Sequence, residues 1–177
     1  MHTVSALAES SIDYMLTGSL VSSMQGEPRA THTLDFVVWA SPDSIDAFLA
    51  RFPAGDYYFD IEAVHDAVGQ GGMFNILAAS GDKVDIWMLT DSAFDQARFA
   101  RRQTVELFGQ LVYVSSPEDT VLMKLLWAEQ SGGSQKQLFD AAKVFDLQRE
   151  YLDFGYFDSW IARLGLADQL AAMQAYL

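Results

Sequence analysis

Two short apolar segments of this 177-residue chain are each interrupted by an aspartate: Asp35 within Leu34–Val38, and Asp85 within "KVDIWML", Lys83–Leu89. A lone buried carboxylate costs several kcal/mol unless something pairs with it. Both segments read as strands, in which residues two apart share a face. Thr33 and Asp35 then point one way, and Leu34, Phe36 and Val38 the other. Asp85 shares its face with Trp87 and Leu89, while Val84, Ile86 and Met88 fill the opposite one. If the two strands are neighbours, Asp35 and Asp85 can share a divalent cation. Carboxylates suit Mg²⁺, which takes one or two of them together with waters and substrate phosphates. The chemistry this points to is phosphoryl or nucleotidyl transfer, in which the ion polarises phosphate and orients attacker and leaving group.

A third feature is Gly18-Ser19, between a short apolar run, Tyr14–Thr17, and the helical "LVSSMQ". Glycine lets backbone approach a ligand closely, and a helix start turns N–H groups toward an anion. A plainer alternative exists for all three features. The turn is then ordinary, and the strand acids merely pair with Arg29 and Lys83.

The elements that must position these residues follow from periodicity and turn residues. A helix is predicted over Ser5–Ile12, a strand over Tyr14–Thr17, a helix from Leu20 stopped at Gly26, and a strand over Leu34–Ala40. Ser41-Pro42 opens a helix to about Arg51, with Ser as cap and Pro at its first position. Tyr57–Ile61 reads as a strand and Glu62–Val68 as a short helix. Met73–Ala79 and Lys83–Leu89 form a hairpin around Ser80-Gly81-Asp82. Ser92–Arg102 is helical, and Gly109-Gln110 turns a second hairpin. From Ser116, again a Ser-Pro start, the chain is helical: to Gln130, then Gln135–Gln148, Phe154–Leu164 and Ala167–Tyr176. The expected fold class is α/β (α+β), a mixed β-sheet flanked by helices with a helical C-terminal lobe. Residues 1–177 are expected to form a single domain, with a core at 1–115 and a lobe at 116–177. Phe154, Tyr156, Phe157 and Trp160 read as that lobe's core, with a subunit contact as the alternative.

Composition narrows the function classes. Net charge is −13, from 11 Lys plus Arg against 24 Asp plus Glu, so the average surface repels nucleic acid. The one cationic cluster, Ala97–Arg102, reads as a solvated helix end. There is no cysteine, which excludes disulfides and thiolate metal sites. No signal peptide and no membrane span is expected, and a cytoplasmic location fits.

Three blocks, "MLTGSLVSSMQGEPRATHTLDFVV", "MFNILAASGDKVDIWML" and the stretch from Phe99 to Phe145, resemble in order and spacing a bacterial nucleotidyltransferase-like family. That family is related to the AbiEii abortive-infection toxins, in the DNA polymerase β superfamily. The resemblance covers about Tyr14 to Leu166. It implies that Gly18 and Ser19 hold a triphosphate, that Asp35 is the second acid of an Asp-x-Asp metal motif, and that Asp85 is the third acid on a neighbouring strand. It also places Arg29, Lys124 and Asp140 near the nucleotide. The family's Arg-x-Thr-x-Asp-x-Asp motif departs here: Arg29-Ala30-Thr31-His32-Thr33-Leu34-Asp35 has Thr33 in place of the first acid. A hydroxyl ligates Mg²⁺ without charge, so metal affinity falls.

What the resemblance implies is a protein that binds a nucleoside triphosphate with Mg²⁺ (or Mn²⁺). Such a protein transfers NMP to a hydroxyl on RNA, protein or a small molecule, within a toxin–antitoxin or phage-defence system that supplies a cognate antitoxin. The alternative is a degraded relative that keeps only nucleotide or partner binding.

Overall fold

The computed structural model describes residues 2–177 and divides into two compact units. The first comprises the residues up to Ser19 together with Thr31–Val114, and the second Leu20–Ala30 with Ser115–Leu177.

The first unit is built on one seven-stranded mixed sheet. Its strands are β1 (Asp13–Thr17), β2 (Thr33–Trp39), β3 (Tyr57–Tyr58), β4 (Met73–Ala78), β5 (Lys83–Met88), β6 (Gln103–Leu107) and β7 (Gln110–Val114). The spatial order is β3-β4-β5-β2-β1-β7-β6. β2 runs parallel to β5 and β1 parallel to β7, and the remaining pairs are antiparallel. Helices α1 (His2–Glu9), α3 (Pro42–Leu49), α4 (Ile61–Gln70) and α5 (Ala93–Ala100) complete the unit. One sheet face is wholly apolar at its centre: Phe36, Val38, Ile76, Val84 and Ile86 are all buried. On the other face the alternation is split. Met15 and Val37 pack under Phe99 of α5 and against Leu89, whereas the adjoining half carries Thr17, Asp35, Asp85 and Asn75.

Local chemistry explains most boundaries. Ser41 and Ser116 each accept a backbone N–H in the first turn of the helix that follows, and each is followed by proline. The β6–β7 hairpin turns on Phe108 and Gly109, both at positive φ, as a two-residue hairpin with right-handed twist requires. The strand expected over Tyr57–Ile61 is cut to two residues. Asp60 accepts from the N–H groups of Glu62 and Ala63 at 3.0 and 3.3 Å, so it caps α4 instead of extending β3. The cationic cluster is only partly a solvated helix end. Arg98 is buried and donates to Asp95 at 2.7 Å, and Arg102 reaches Asp13 while its guanidinium lies over the Phe99 ring.

The second unit is helical. α6 (Pro117–Gln130) and α7 (Gln135–Gln148) form its central pair, joined by α8 (Phe154–Leu164) and α9 (Ala167–Gln174). Phe157 and Trp160 are buried as expected, whereas Phe154 is exposed and Tyr156 is half-buried, its hydroxyl donating to Asp119 at 2.7 Å. Leu20–Ala30 group with these helices. They hold most of α2 (Gly18–Gln25), and contacts with residues 90 or more positions away in sequence hold them there. Gln25 donates to the Ser115 carbonyl at 2.7 Å, Gln148 donates to the Gln25 carbonyl at 2.8 Å, and Gly26 lies so close to Val144 that a Cβ would sit 3.0 Å from its nitrogen. Among the described residues no helix is long and apolar enough to cross a membrane.

Candidate functional site

The register of the sheet builds the site. In the parallel β2–β5 pair Asp35 lies directly opposite Asp85, and Thr33 directly opposite Lys83. Opposed residues on neighbouring strands share a face, and such strands run about 4.8 Å apart. The row extends to Thr17 of β1, opposite Asp35, and to Asn75 of β4, opposite Asp85. Asp35 and Asp85 therefore stand side by side on one face, as two strand-borne acids sharing a cation must.

Their surroundings differ. Asp85 is buried, and its Oδ1 has no hydrogen-bond partner. Its Oδ2 is 3.1 Å from the Lys83 ammonium, a pairing the plainer alternative anticipated. Asp35 is half-buried and lies against Gly18. Gly18 ends the strand-to-helix corner between β1 and α2 at φ +71°, and a Cβ there would overlap the Asp35 carboxylate and come within 2.7 Å of the Asp35 Cβ. The glycine is thus required twice, by its left-handed backbone and by the acid packed on it. Ser19 follows it in the first turn of α2, earlier than the sequence-based helix start at Leu20. Gly18→Ala is expected to lower stability by about 1–2 kcal/mol from backbone strain alone. It also displaces Asp35, so thermal melts and nucleotide titration should both register the change.

The donor set fits one Mg²⁺ and not two. Two in-register carboxylates, one with an orphaned buried oxygen, match an ion that takes one or two carboxylates beside substrate phosphates. Thr33, two residues before Asp35 on the same face, brings a hydroxyl and no third carboxylate. Among the described residues no cluster of three or more His, Asp or Glu suited to a metal occurs. His32 is exposed and faces Asp82 at 3.4 Å, and His65 is exposed beside Asp46 at 3.7 Å.

The remaining expected residues gather in the second unit. Asp140 Oδ2 accepts from Arg29 Nη2 at 2.6 Å and from Lys124 Nζ at 3.0 Å. This ties α6, α7 and the segment after α2 together. Lys124 is 2% exposed, deeper than a lysine that merely snorkels along a helix. Burial, only partly offset by Asp140, holds its pKa below the ordinary lysine value. With Asp140 also buried, Arg29 is the member of the trio exposed enough to touch a ligand. A small pocket of about 50 Å³ opens beside it, lined by Ser22, Glu27, Arg29, Phe139, Asp140 and Lys143. Reasoning from sequence treated Lys83 only as an ion-pair partner and passed over Asn75 and Thr17. The signal for Lys83 was its i, i+2 spacing from Asp85; the other two emerge only from strand register.

No protein-family model matches the sequence, and no curated protein matches it. Solved structures do. An antigenic nucleotidyltransferase-like protein from Paracoccidioides brasiliensis superposes with TM-score 0.55 at 19% identity, covering 97% of this chain and 88% of that one. The antibiotic-resistance factor ANT(2'')-Ia gives TM-score 0.55 at 12% identity, covering 99% and 92%. The lincosamide antibiotic adenylyltransferase LnuA, bound to lincomycin, gives 0.54 at 12% identity, covering 80% and 90%. With strand-borne acids in register beside a glycine corner, the chain has the nucleotidyltransferase-like fold.

Proposed function

We propose that this protein binds a nucleoside triphosphate with Mg²⁺ and transfers its NMP to a hydroxyl acceptor. The observation that carries the reading is the Asp35–Asp85 pair: in register, on one face, with Gly18 packed against the first acid and an orphaned oxygen on the second. Asp35, Asp85 and the Thr33 hydroxyl would hold the ion. When bound, Mg²⁺ neutralises phosphate charge and favours in-line displacement at the α-phosphorus. The Gly18–Ser19 corner receives the triphosphate with backbone N–H groups. Asp35, the more exposed of the two acids, is placed to take the acceptor's proton. The acceptor oxygen bonds to the α-phosphorus, the bond to the bridging oxygen breaks, and pyrophosphate leaves with the electron pair.

Two similar structures indicate an acceptor class. LnuA is an adenylyltransferase seen with lincomycin, and ANT(2'')-Ia is seen with adenylyl-2''-tobramycin, so hydroxyls of small molecules join RNA and protein as acceptors to test. The resemblance to AbiEii-related proteins adds a toxin or phage-defence setting with a cognate antitoxin. Growth arrest on expression, relieved by a neighbouring gene, would support that setting.

A second reading has its own observation. Thr33 replaces an acid and Lys83 already occupies one oxygen of Asp85, the features of a site that has lost catalysis and keeps nucleotide or partner binding. Incubation with each labelled NTP and Mg²⁺ or Mn²⁺, over RNA, protein and small-molecule acceptors, separates the two. The enzyme reading expects label transfer by the natural chain. Transfer gained only in Thr33→Asp establishes the degraded reading instead.

A further inference from the structure

Where the family motif has its first acid, this chain has Thr33, and directly opposite Thr33 in the parallel pair stands Lys83. Lys83 is the first residue of β5, two residues before Asp85, so its side chain rises from the same face. Its backbone is pinned by a 2.8 Å bond from its N–H to the His32 carbonyl. Its ammonium lies 3.1 Å from Asp85 Oδ2, while Asp85 Oδ1 is buried without a partner. The loss of an acid and the presence of a cation therefore coincide at one register position. Asp35, Asp85 and Lys83 together carry a single net negative charge, where three acids without a lysine would carry three. One divalent ion makes the present set net positive, enough to attract a polyanion. A three-acid set needs two such ions to do the same.

We propose that Lys83 is the built-in cation of this site: its ammonium binds the triphosphate of the incoming nucleotide and makes a second divalent ion unnecessary. The proposal rests on the nucleotide-binding reading and deepens it. Lys83 holds Asp85 Oδ2 while the site is empty. It swings toward phosphate when Mg²⁺ engages the two acids. Its side chain is 38% exposed, so solvent is open to the moving ammonium. A lysine is a point charge with three rotatable donors on a flexible stem, suited to following a phosphate.

The test is a pair of titrations that move in opposite directions. Calorimetry with Mg²⁺ alone and with the four ribonucleoside triphosphates in excess Mg²⁺ is run on the natural chain, Lys83→Met and Lys83→Arg. Lys83→Met should bind triphosphate about tenfold more weakly, about 1.4 kcal/mol. Mg²⁺ without nucleotide should bind it more tightly, because both Asp85 oxygens are released. Lys83→Arg should restore triphosphate affinity. Thr33→Asp combined with Lys83→Met should make nucleotide binding depend more steeply on Mg²⁺ than in the natural chain. Equal triphosphate affinity in Lys83→Met and the natural chain, both folded by circular dichroism, overturns the proposal while leaving the nucleotide reading intact. No saturable triphosphate binding by the natural chain overturns both. Lys83→Gln serves as a second neutral variant should Lys83→Met fail to fold.

Discussion

Asp35→Asn is expected to cut the proposed Mg²⁺-dependent nucleotidyl transfer by about 10²–10³-fold, the scale lost when one preorganised electrostatic group is removed from a reacting centre. The substitution is isosteric, so the packing of residue 35 against Gly18 persists and the fold is retained. What is lost is the charge. An amide oxygen is a weak Mg²⁺ ligand and accepts no proton from the acceptor hydroxyl. Asp85→Asn should have a comparable effect with a different signature: it also removes the charge partner of Lys83, leaving an ammonium 3.1 Å from a neutral group. Label transfer and triphosphate titration at several Mg²⁺ concentrations check both variants. Raising Mg²⁺ should partly rescue Asp35→Asn if the remaining carboxylate still binds the ion. Full activity in either variant would remove the carboxylate pair from the mechanism.

The second large effect concerns stability. Asp140→Ala is expected to destabilise the chain by about 3–5 kcal/mol, the cost of leaving a buried charge uncompensated. Asp140 Oδ2 serves both Arg29 and Lys124, and the two cations differ in what they lose. Arg29 is partly exposed and recovers water; Lys124 is 2% exposed and does not. For a chain of this length about 2–4 °C of melting temperature goes with each kcal/mol, so a drop of roughly 10 °C is expected in a thermal scan. Asp140→Asn, which keeps a hydrogen-bond acceptor, should lose less. The pH dependence has a definite sign. Burial depresses the Lys124 pKa in the folded state, so between the folded and unfolded values the unfolded chain binds more protons. The Lys124 contribution to stability therefore rises as pH climbs through that window. In Lys124→Met this rise is absent, and the difference between the two stability–pH curves isolates it. A melting temperature unchanged in Asp140→Ala would mean the trio holds nothing together.

Element types were largely legible because they rest on local rules. Ser-Pro starts at residues 41 and 116 place helices, Gly109 places a hairpin, and alternation around Asp35 and Asp85 assigns each acid to a face. The failures were local rules in competition. Tyr57–Ile61 look extended, but Asp60 accepts two N–H groups as the cap of α4, so the strand stops at Tyr58 and Ile61 begins a helix. Lys124 stands out in the sequence only through the family resemblance; its burial beside Asp140 follows from how α6 meets α7.

The candidate site divides along the same line. The residue types, the i, i+2 spacing of Thr33 from Asp35 and of Lys83 from Asp85, and the glycine at the strand-to-helix corner are all properties of the linear chain. Strand order and register are not, because β2 and β5 lie some fifty residues apart and nothing in either segment names its partner. A shift of one residue would send Asp85 to the apolar face while leaving every local preference satisfied. The contacts of the whole sheet choose the register that sets Asp35 beside Asp85 and Thr33 beside Lys83, and the chemistry of the site depends on that choice.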